Sequence, residues 1–331
     1  MQDLQDLKDM KDLNKATNVT LKEAAQFLLS HDDFVIISHA NPDGDTFGCS
    51  YGLCSALQKA GKRAKIVCAD PLPANFFHLK EAVAEQEFEE KTIVSVDIAD
   101  TVLMGKLESV YGDKVDLAID HHLSHIPFAK KRYVDDEAAA CCEIIYDLIK
   151  LLGVEIDAAM AQCIYTGIAT DTGCFKFSNT TRLTHEKAGE LMEYGFDCAA
   201  LNYRLFDMKS RARIRLEQYA LEHLDFFAEG KGAIVALNKQ LLDTVDSEDV
   251  NGISSLPRTI EGVEVGVVLK EKEDCWKASM RSLKINVQEI CGRFGGGGHL
   301  NAAGCSFKNM NIEEIIEKVK AAIEEALAGQ A

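Results

Sequence analysis

An alternation of short apolar runs with helical patterns is the feature that most constrains how this chain folds. Residues Phe34–Ile37 form an unbroken apolar run of strand length. A helical pattern follows from Thr46 to Ala60 and stops at Gly61, and a second strand is predicted at Ala64–Cys68. Two strands joined by a helix lie parallel in one sheet, so the sequence predicts a βαβ unit.

The same alternation continues along the first half of the chain. Strands are predicted at Ile93–Val96 and Val115–Ile119, and helices at Ala138–Leu152 and Ala158–Ala169. An earlier helix is predicted to begin near Leu21, because Thr20 and Glu23 have the spacing of a capping box. We therefore expect an α/β domain with a doubly wound, mostly parallel sheet.

The pattern changes in the last third of the chain. Short strands are predicted at Ala233–Leu237, Val263–Leu269 and Trp276–Met280, before a glycine-rich turn and a C-terminal helix. This order is typical of a smaller α+β domain. The expected organisation is an N-terminal extension at 1–19, a first domain at 20–190, a helical linker at 191–225 and a second domain at 226–331. In the extension, the spacing of Leu4, Leu7, Met10 and Leu13 favours a weakly amphipathic helix or a frayed segment.

Composition limits the classes of partner. The chain has 36 basic and 53 acidic residues and a formal charge of −17, which argues against a long nucleic-acid duplex or an anionic membrane as its main partner. Eleven cysteines without a C-x-x-C pair indicate reduced, mostly buried thiols. No apolar run approaches the roughly 20 residues that span a bilayer. We therefore expect a cytoplasmic protein.

Acidic and histidine side chains follow the predicted strands. A single residue of this kind is more often a helix cap or a hydrogen-bonded structural residue. Here they recur after three strands of one parallel sheet, whose carboxyl ends form a common ligand-binding edge. The residues are His39, Asp43 and Asp45 after the first strand, Asp97 after the third, and Asp120, His121 and His122 after the fourth.

These side chains predict a metal site. Carboxylates gathered at one place repel each other unless a cation offsets their charge. Carboxylate and imidazole ligands without a thiolate favour a hard or borderline divalent ion. Manganese suits this set well, and magnesium, cobalt or iron are also compatible with it.

Four motifs, in this order, resemble those of the DHH phosphoesterase family. They are HANPDGD at 39–45, VSVDIAD at 94–100, DHH at 120–122 and GIATDTGCF at 167–175. The resemblance implies two divalent ions, the first held by His39, Asp43 and Asp97 and the second by Asp45, Asp97, His121 and Asp171. It also implies that Asp120 orients an imidazole and that His122 faces the phosphate as a donor or general acid.

A run of glycines in the second domain carries a further resemblance. Gly295–His299 lies between a helix predicted at Val287–Phe294 and a strand predicted at Cys305–Phe307. Glycines in such a run are often only a flexible connection, but they also allow backbone N–H groups to approach an anion closely. The segment 296–304 is similar to the GGGHxxAAG motif of the DHH-associated C-terminal domain. That resemblance implies substrate binding by Arg281, Gly296, Gly297, Gly298 and His299, with a polar contact from Asn301.

Together the motifs predict a metal-dependent phosphodiesterase or phosphatase, with its active site in the cleft between the two domains. The expected substrates are very short oligoribonucleotides (nanoRNA) and 3′,5′-bisphosphorylated adenosine (pAp). Two alternatives stay open: a soluble phosphodiesterase for cyclic di-AMP or its linear product pApA, and a non-hydrolytic nucleotide sensor, which loss of a ligand residue would favour. The family resemblance also suggests a homodimer.

Overall fold

The computed structural model describes residues 16–245, 249–250 and 252–329, which divide into two compact units between Met208 and Lys209. This division falls inside the segment predicted as the linker, whose own bounds stay a prediction. The amphipathic pattern predicted from Leu4 to Leu13 lies outside the described residues. Thr17 and Asn18, which we assigned to the extension, form a short strand of the first unit.

The first unit contains a six-stranded sheet in which every neighbouring pair is parallel. Its strands are β1 (Thr17–Asn18), β2 (Phe34–Ile37), β3 (Ala64–Val67), β4 (Thr92–Val96), β5 (Leu117–Asp120) and β6 (Lys131–Val134). Their order across the sheet is β1-β6-β5-β4-β2-β3. The predicted parallel α/β architecture is therefore confirmed, although β1 and β6 were not predicted.

Helices pack on this sheet around apolar cores. They are α1 (Leu21–Ser30), α2 (Gly44–Lys59), α3 (Glu108–Tyr111), α4 (Cys141–Leu152), α5 (Ala158–Asp171), α6 (Arg182–Met192) and α7 (Cys198–Asn202). The predicted capping box starts α1, because Thr20 accepts from the Glu23 N–H and the Glu23 carboxylate accepts from the Thr20 N–H. Helix α2 is buried along nearly its whole length. The predicted start of α4 at Ala138 was three residues early.

The second unit contains a mixed sheet in the order β11-β12-β10-β9-β8-β7. Its strands are β7 (Asp225–Phe227), β8 (Gly232–Leu237), β9 (Val265–Glu271), β10 (Cys275–Ser282), β11 (Gly297–His299) and β12 (Ala302–Lys308). Only β8 and β9 pair in parallel. The helices are α8 (Arg211–Glu222), α9 (Lys239–Leu242), α10 (Val287–Arg293) and α11 (Ile312–Ala328). The predicted smaller α+β domain is confirmed.

Two findings concern membrane-spanning helices and disulfide bonds. Among the described residues, no helix combines the length and the apolar character needed to cross a membrane. The eleven cysteines are all free thiols.

The packing of α2 against α5 depends on glycine. A Cβ added at Gly48 in α2 would lie 2.6 Å from the backbone oxygen of Cys163 and 2.8 Å from the Cys142 sulfur. A Cβ at Gly167 in α5 would lie 2.2 Å from that same sulfur. Because real Cβ atoms do not approach other heavy atoms so closely, larger residues would force the helices apart.

We expect Gly48→Ala to lower the free energy of unfolding by about 1–3 kcal/mol, the usual cost of overpacking a core. Gly189 in α6 is the matched control, because it is exposed and nothing lies within 4 Å of an added Cβ. Gly189→Ala should stabilise by about 0.5–1 kcal/mol, since alanine loses less backbone entropy in a helix. Chemical denaturation measures the free energy of unfolding of both variants. Equal changes in the two variants would contradict a close approach of α2 and α5 at Gly48.

Candidate metal centre

The six predicted ligand residues meet at the carboxyl edge of the first sheet. His39 follows β2, Asp43 caps the start of α2, and Asp45 lies in its first turn. Asp97 directly follows β4, and His121 directly follows β5. The sixth residue, Asp171, is the last residue of α5, whose C-terminus reaches the same edge.

The ligand atoms form two groups that share Asp97. In the first, the His39 Nε2 lies 3.7 Å from Asp43 Oδ1 and 3.7 Å from Asp97 Oδ2. In the second, the His121 Nε2 lies 3.6 Å from Asp97 Oδ1, 3.6 Å from Asp171 Oδ2 and 3.8 Å from Asp45 Oδ2. These spacings exceed a hydrogen bond and suit atoms arranged around a common ion. These are the residues that the family resemblance implies as two ligand sets, and their role in metal binding stays a prediction.

Both imidazoles present the same nitrogen to the centre. The Nδ1 of His39 lies 2.9 Å from the Ala40 carbonyl oxygen, and that of His121 lies 3.1 Å from the Ala138 carbonyl oxygen. A carbonyl only accepts, so each Nδ1 carries the proton and donates it. Each Nε2 therefore keeps a free lone pair, which is the arrangement of metal-binding histidines.

Asp97 carries a buried carboxylate oxygen that lacks a hydrogen bond to any described residue. It is 2% exposed, and its Oδ1 has no hydrogen-bond partner in the described part of the chain. Burial and the nearby Asp45 carboxylate raise the pKa of Asp97 well above its usual range. Its φ of 57° is in the left-handed region, a strained conformation for a non-glycine residue and one that is common at functional sites. A cation between the two groups would satisfy this oxygen, so the residues fit a divalent metal ion.

Asp171 also belongs to this crowded group of acids. Burial, together with the charges of Asp45 and Asp43, raises the pKa of Asp171 to about 8. A carboxylate that is this hard to ionise alone is stabilised when a cation joins the group. The sequence pattern alone indicates a helix-end or turn residue, and the family resemblance implies that Asp171 is a ligand.

The N-terminus of α4 holds Asp45 in place. The Cys141 and Cys142 N–H groups donate to the two oxygens of Asp45 at 2.6 and 2.9 Å. Unpaired N–H groups at a helix start stabilise a carboxylate there. Sequence analysis missed this contact, because it interpreted the two cysteines as core thiols and began the helix too early.

Asp120 holds two histidines rather than one. Its Oδ1 accepts from the His122 Nδ1 and its Oδ2 from the His125 Nδ1, each at 2.7 Å. Burial alone would raise the pKa of Asp120, but the hydrogen bonds from His122 and His125 hold it below its usual range. The Asp120 hydrogen bond raises the pKa of His122, so this imidazole is readily protonated. Sequence analysis had not identified His125.

In the second unit, the glycine segment is not only a turn. Gly297–His299 pairs with β12 as the edge strand β11. A Cβ at Gly296 would lie 2.2 Å from the Gly304 carbonyl oxygen, so only glycine fits there. The segment lines a cavity of about 470 Å³ together with Arg281. The structure thus brings Arg281 and the glycine backbone together, as the sequence predicted.

Other residues of this cavity differ from the prediction. His299 and Asn301 are not among the described residues that line it. Asn301 instead lies in the turn before β12, where its side-chain oxygen is 3.4 Å from the Ser282 hydroxyl. Lys277 and Ser279 do line the cavity. Lys277, Ser279 and Arg281 follow each other at intervals of two residues, which places all three on one face of β10, a signal that the sequence contained.

Comparisons with known proteins identify two domain families in this chain. Residues 33–168 match the model described as "DHH family, N-terminal domain", and residues 233–325 match the DHHA1 domain. The bifunctional oligoribonuclease and PAP phosphatase NrnA of Thermus thermophilus is 36% identical over 298 residues, covering 88% of this chain and 89% of that protein.

Two solved structures show the shared architecture. An exopolyphosphatase-related protein from Bacteroides fragilis has a TM-score of 0.83 at 26% identity, over 92% of this chain and 96% of that one. Exonuclease RecJ bound to manganese has a TM-score of 0.53 at 14% identity, over 91% of this chain and 93% of that one. The second likeness concerns the fold alone. By its domains and its close relative, this chain belongs to the DHH family of phosphoesterases, with a DHHA1 domain after the DHH domain.

Proposed function

We propose that this protein hydrolyses phosphoester bonds in very short oligoribonucleotides and in pAp, using two divalent metal ions. The observation that carries the proposal is the position of Asp97, whose two oxygens face two separate imidazoles. The name of the Thermus relative supports the choice of substrates.

Each ion has a proposed ligand set among the residues described above. His39, Asp43 and Asp97 would hold one ion, and Asp45, Asp97, His121 and Asp171 the other, with Asp97 as the bridge. Manganese suits these oxygen and nitrogen ligands, and magnesium, cobalt or iron are compatible with them. When bound, such a pair of ions lowers the pKa of water and offsets the charge on the phosphate.

His122 is the proposed proton donor. Its Nδ1 is engaged by Asp120, and its side chain is 40% exposed, so its Nε2 is free to meet a substrate oxygen. The Asp120 carboxylate keeps the imidazole oriented and stabilises its protonated form. In hydrolysis the leaving oxygen takes up a proton, and His122 is placed to supply it.

The cavity of the second unit is the proposed site for a further phosphate of the substrate. Arg281 lies in it partly buried, and a guanidinium binds phosphate through paired donors. The Gly296 N–H already donates to the Cys291 carbonyl oxygen at 2.9 Å, so Gly297 and Gly298 are the glycines proposed to offer backbone N–H donors there. His299, the last residue of β11, and Asn301, in the turn after it, stay predicted contacts.

The substrate assignment is tested by comparing kcat/KM for pAp, RNA of two to five residues, cyclic di-AMP and pApA in the presence of Mn²⁺. We expect the first two to be preferred. A clear preference for the cyclic compound would replace this proposal with the cyclic di-AMP alternative, and binding without turnover would favour a sensor. Dimerisation and a cytoplasmic location stay predictions.

We expect Mn²⁺ to raise the melting temperature of the wild type but not of Asp97→Asn, because the variant loses the bridging carboxylate. A ligand at about a hundred times its dissociation constant adds about 2.7 kcal/mol to stability. In chelator, Asp97→Asn should be at least as stable as the wild type, since it removes one of several crowded acids. Differential scanning calorimetry measures both effects.

Asp113→Asn is the matched control for this comparison. It removes the same charge from an exposed position of the first unit, away from the predicted ligands. It should keep the full Mn²⁺ effect. An unchanged Mn²⁺ effect in Asp97→Asn would contradict the proposal that Asp97 is a ligand of both ions.

A different result is expected for His122→Ala. Loss of a proton donor lowers kcat by about 10²–10⁴-fold, while the Mn²⁺-induced rise in melting temperature should remain. His223→Ala, at an exposed histidine of the second unit, should change neither quantity. If His122→Ala instead abolishes the Mn²⁺ effect, His122 is a ligand and not the donor.

Arg281→Ala should raise KM for pAp by about 10–100-fold, the range expected for a lost hydrogen bond to a charged group. Arg281→Lys keeps the charge and should recover only part of the loss, because lysine lacks the paired donors. Arg293→Ala is the control, since Arg293 pairs with Glu325 on the surface. Steady-state kinetics decide the matter, and an unchanged KM in Arg281→Ala would remove this residue from the substrate site.

A further inference from the structure

A cavity in the first unit adjoins His122 on the side of the edge strand β1. It has a volume of about 400 Å³, and its lining includes His122, His125, Arg132 and Asp136. Asn18 in β1 and residues of β6 form its wall on the side of the sheet edge. The proposed two-metal chemistry makes no use of this space, although the cavity begins at the proposed proton donor.

Arg132 is the cation of this cavity, and its side chain is held in place. The Asn18 side-chain oxygen accepts from the Arg132 Nε at 2.6 Å. The neighbouring Lys130 is neutralised by Asp116 at 2.7 Å, whereas the described residues provide no ion pair for Arg132. With Nε engaged, its two terminal nitrogens remain available to an anion. A partly buried, oriented guanidinium of this kind binds a phosphate well.

The chemistry of the two proposed substrates explains why such a site is needed. The phosphate of pAp that is cleaved is a monoester, with one organic group. The scissile phosphate of an RNA is a diester, so a second nucleoside extends from it and carries the next phosphate when the chain is longer. That second arm needs space and a cation beside the reacting group, and the cavity at His122 offers both.

We propose that Arg132 and the cavity it shares with His122 bind the second nucleotide arm of oligoribonucleotide substrates. The inference rests on the proposed function and makes Arg132 a specificity residue for diesters over pAp. Asp136 fits this assignment, because its carboxylate accepts hydrogen bonds from ribose hydroxyls and repels a bare phosphate at that end of the cavity. A nucleotide therefore suits the site better than a free anion.

The test compares Arg132→Gln with the wild type on a 5′-phosphorylated RNA trinucleotide and on pAp, both with Mn²⁺. We expect kcat/KM for the trinucleotide to fall about 10-fold or more, mainly through KM, and that for pAp to change less than about twofold. Fluorescence anisotropy with a labelled trinucleotide in Ca²⁺ buffer provides a readout of binding that does not depend on turnover. There, too, Arg132→Gln should bind about 10-fold more weakly.

Two further variants control for charge and for folding. Arg182→Gln removes one cation from an exposed position on α6 of the same unit, and it should leave both substrates unaffected. Arg132→Lys keeps the charge and should restore part of the trinucleotide activity. Equal losses on pAp and RNA, or no loss on RNA, would overturn the assignment of Arg132. Failure of the wild type to cleave either substrate would instead overturn the proposed function, which separates the two outcomes.

Discussion

Mutual repulsion among clustered acids is the constraint around which the first unit is organised. Asp43, Asp45, Asp97 and Asp171 lie in two adjoining groups of candidate ligand atoms, and Asp97 is almost completely enclosed. Such a group opposes folding unless its charge is offset by protonation, by hydrogen bonds or by cations. For Asp45, hydrogen bonds come from the backbone N–H groups at the start of α4. The described residues leave one oxygen of Asp97 unsatisfied, at the place where two imidazoles converge.

The parallel sheet is what brings these charged residues together. Strand ends β2, β4 and β5 lie side by side, so three short segments deliver ligands to one edge without long loops. Helices α2 and α5 then approach closely through Gly48 and Gly167, which brings Asp45 and Asp171 to the same centre. The second unit holds a separate candidate site for anions. There, Gly296 and Gly298, where an added Cβ would clash with the backbone, line one cavity with Arg281.

Much of this arrangement is readable from the sequence. Strand β2 is apolar throughout and β4 is rich in Ile and Val, so their composition identifies them as buried strands. The residues that follow these strands are then placed by topology. Strand β6 was missed because its residues, Lys131–Val134, are half polar near the sheet edge. Strand β11 was missed for another reason, since its two glycines have no side chains to form an alternating pattern. The role of His125 depends on how the loop after β5 turns, and no periodic signal describes that.

The position of Gly167 joins two properties that are usually considered separately. A Cβ there would come within 2.6 Å of the Asp45 Oδ1, as well as contacting the Cys142 sulfur. The close approach at Gly167 that lets α2 and α5 pack therefore also positions the Asp45 Oδ1, a proposed ligand oxygen. A larger residue at this point would disturb affinity for the cation and stability of the domain together. Substitutions at Gly167 are therefore restricted by the proposed metal site as well as by packing, because Asp171 lies one helical turn further along α5.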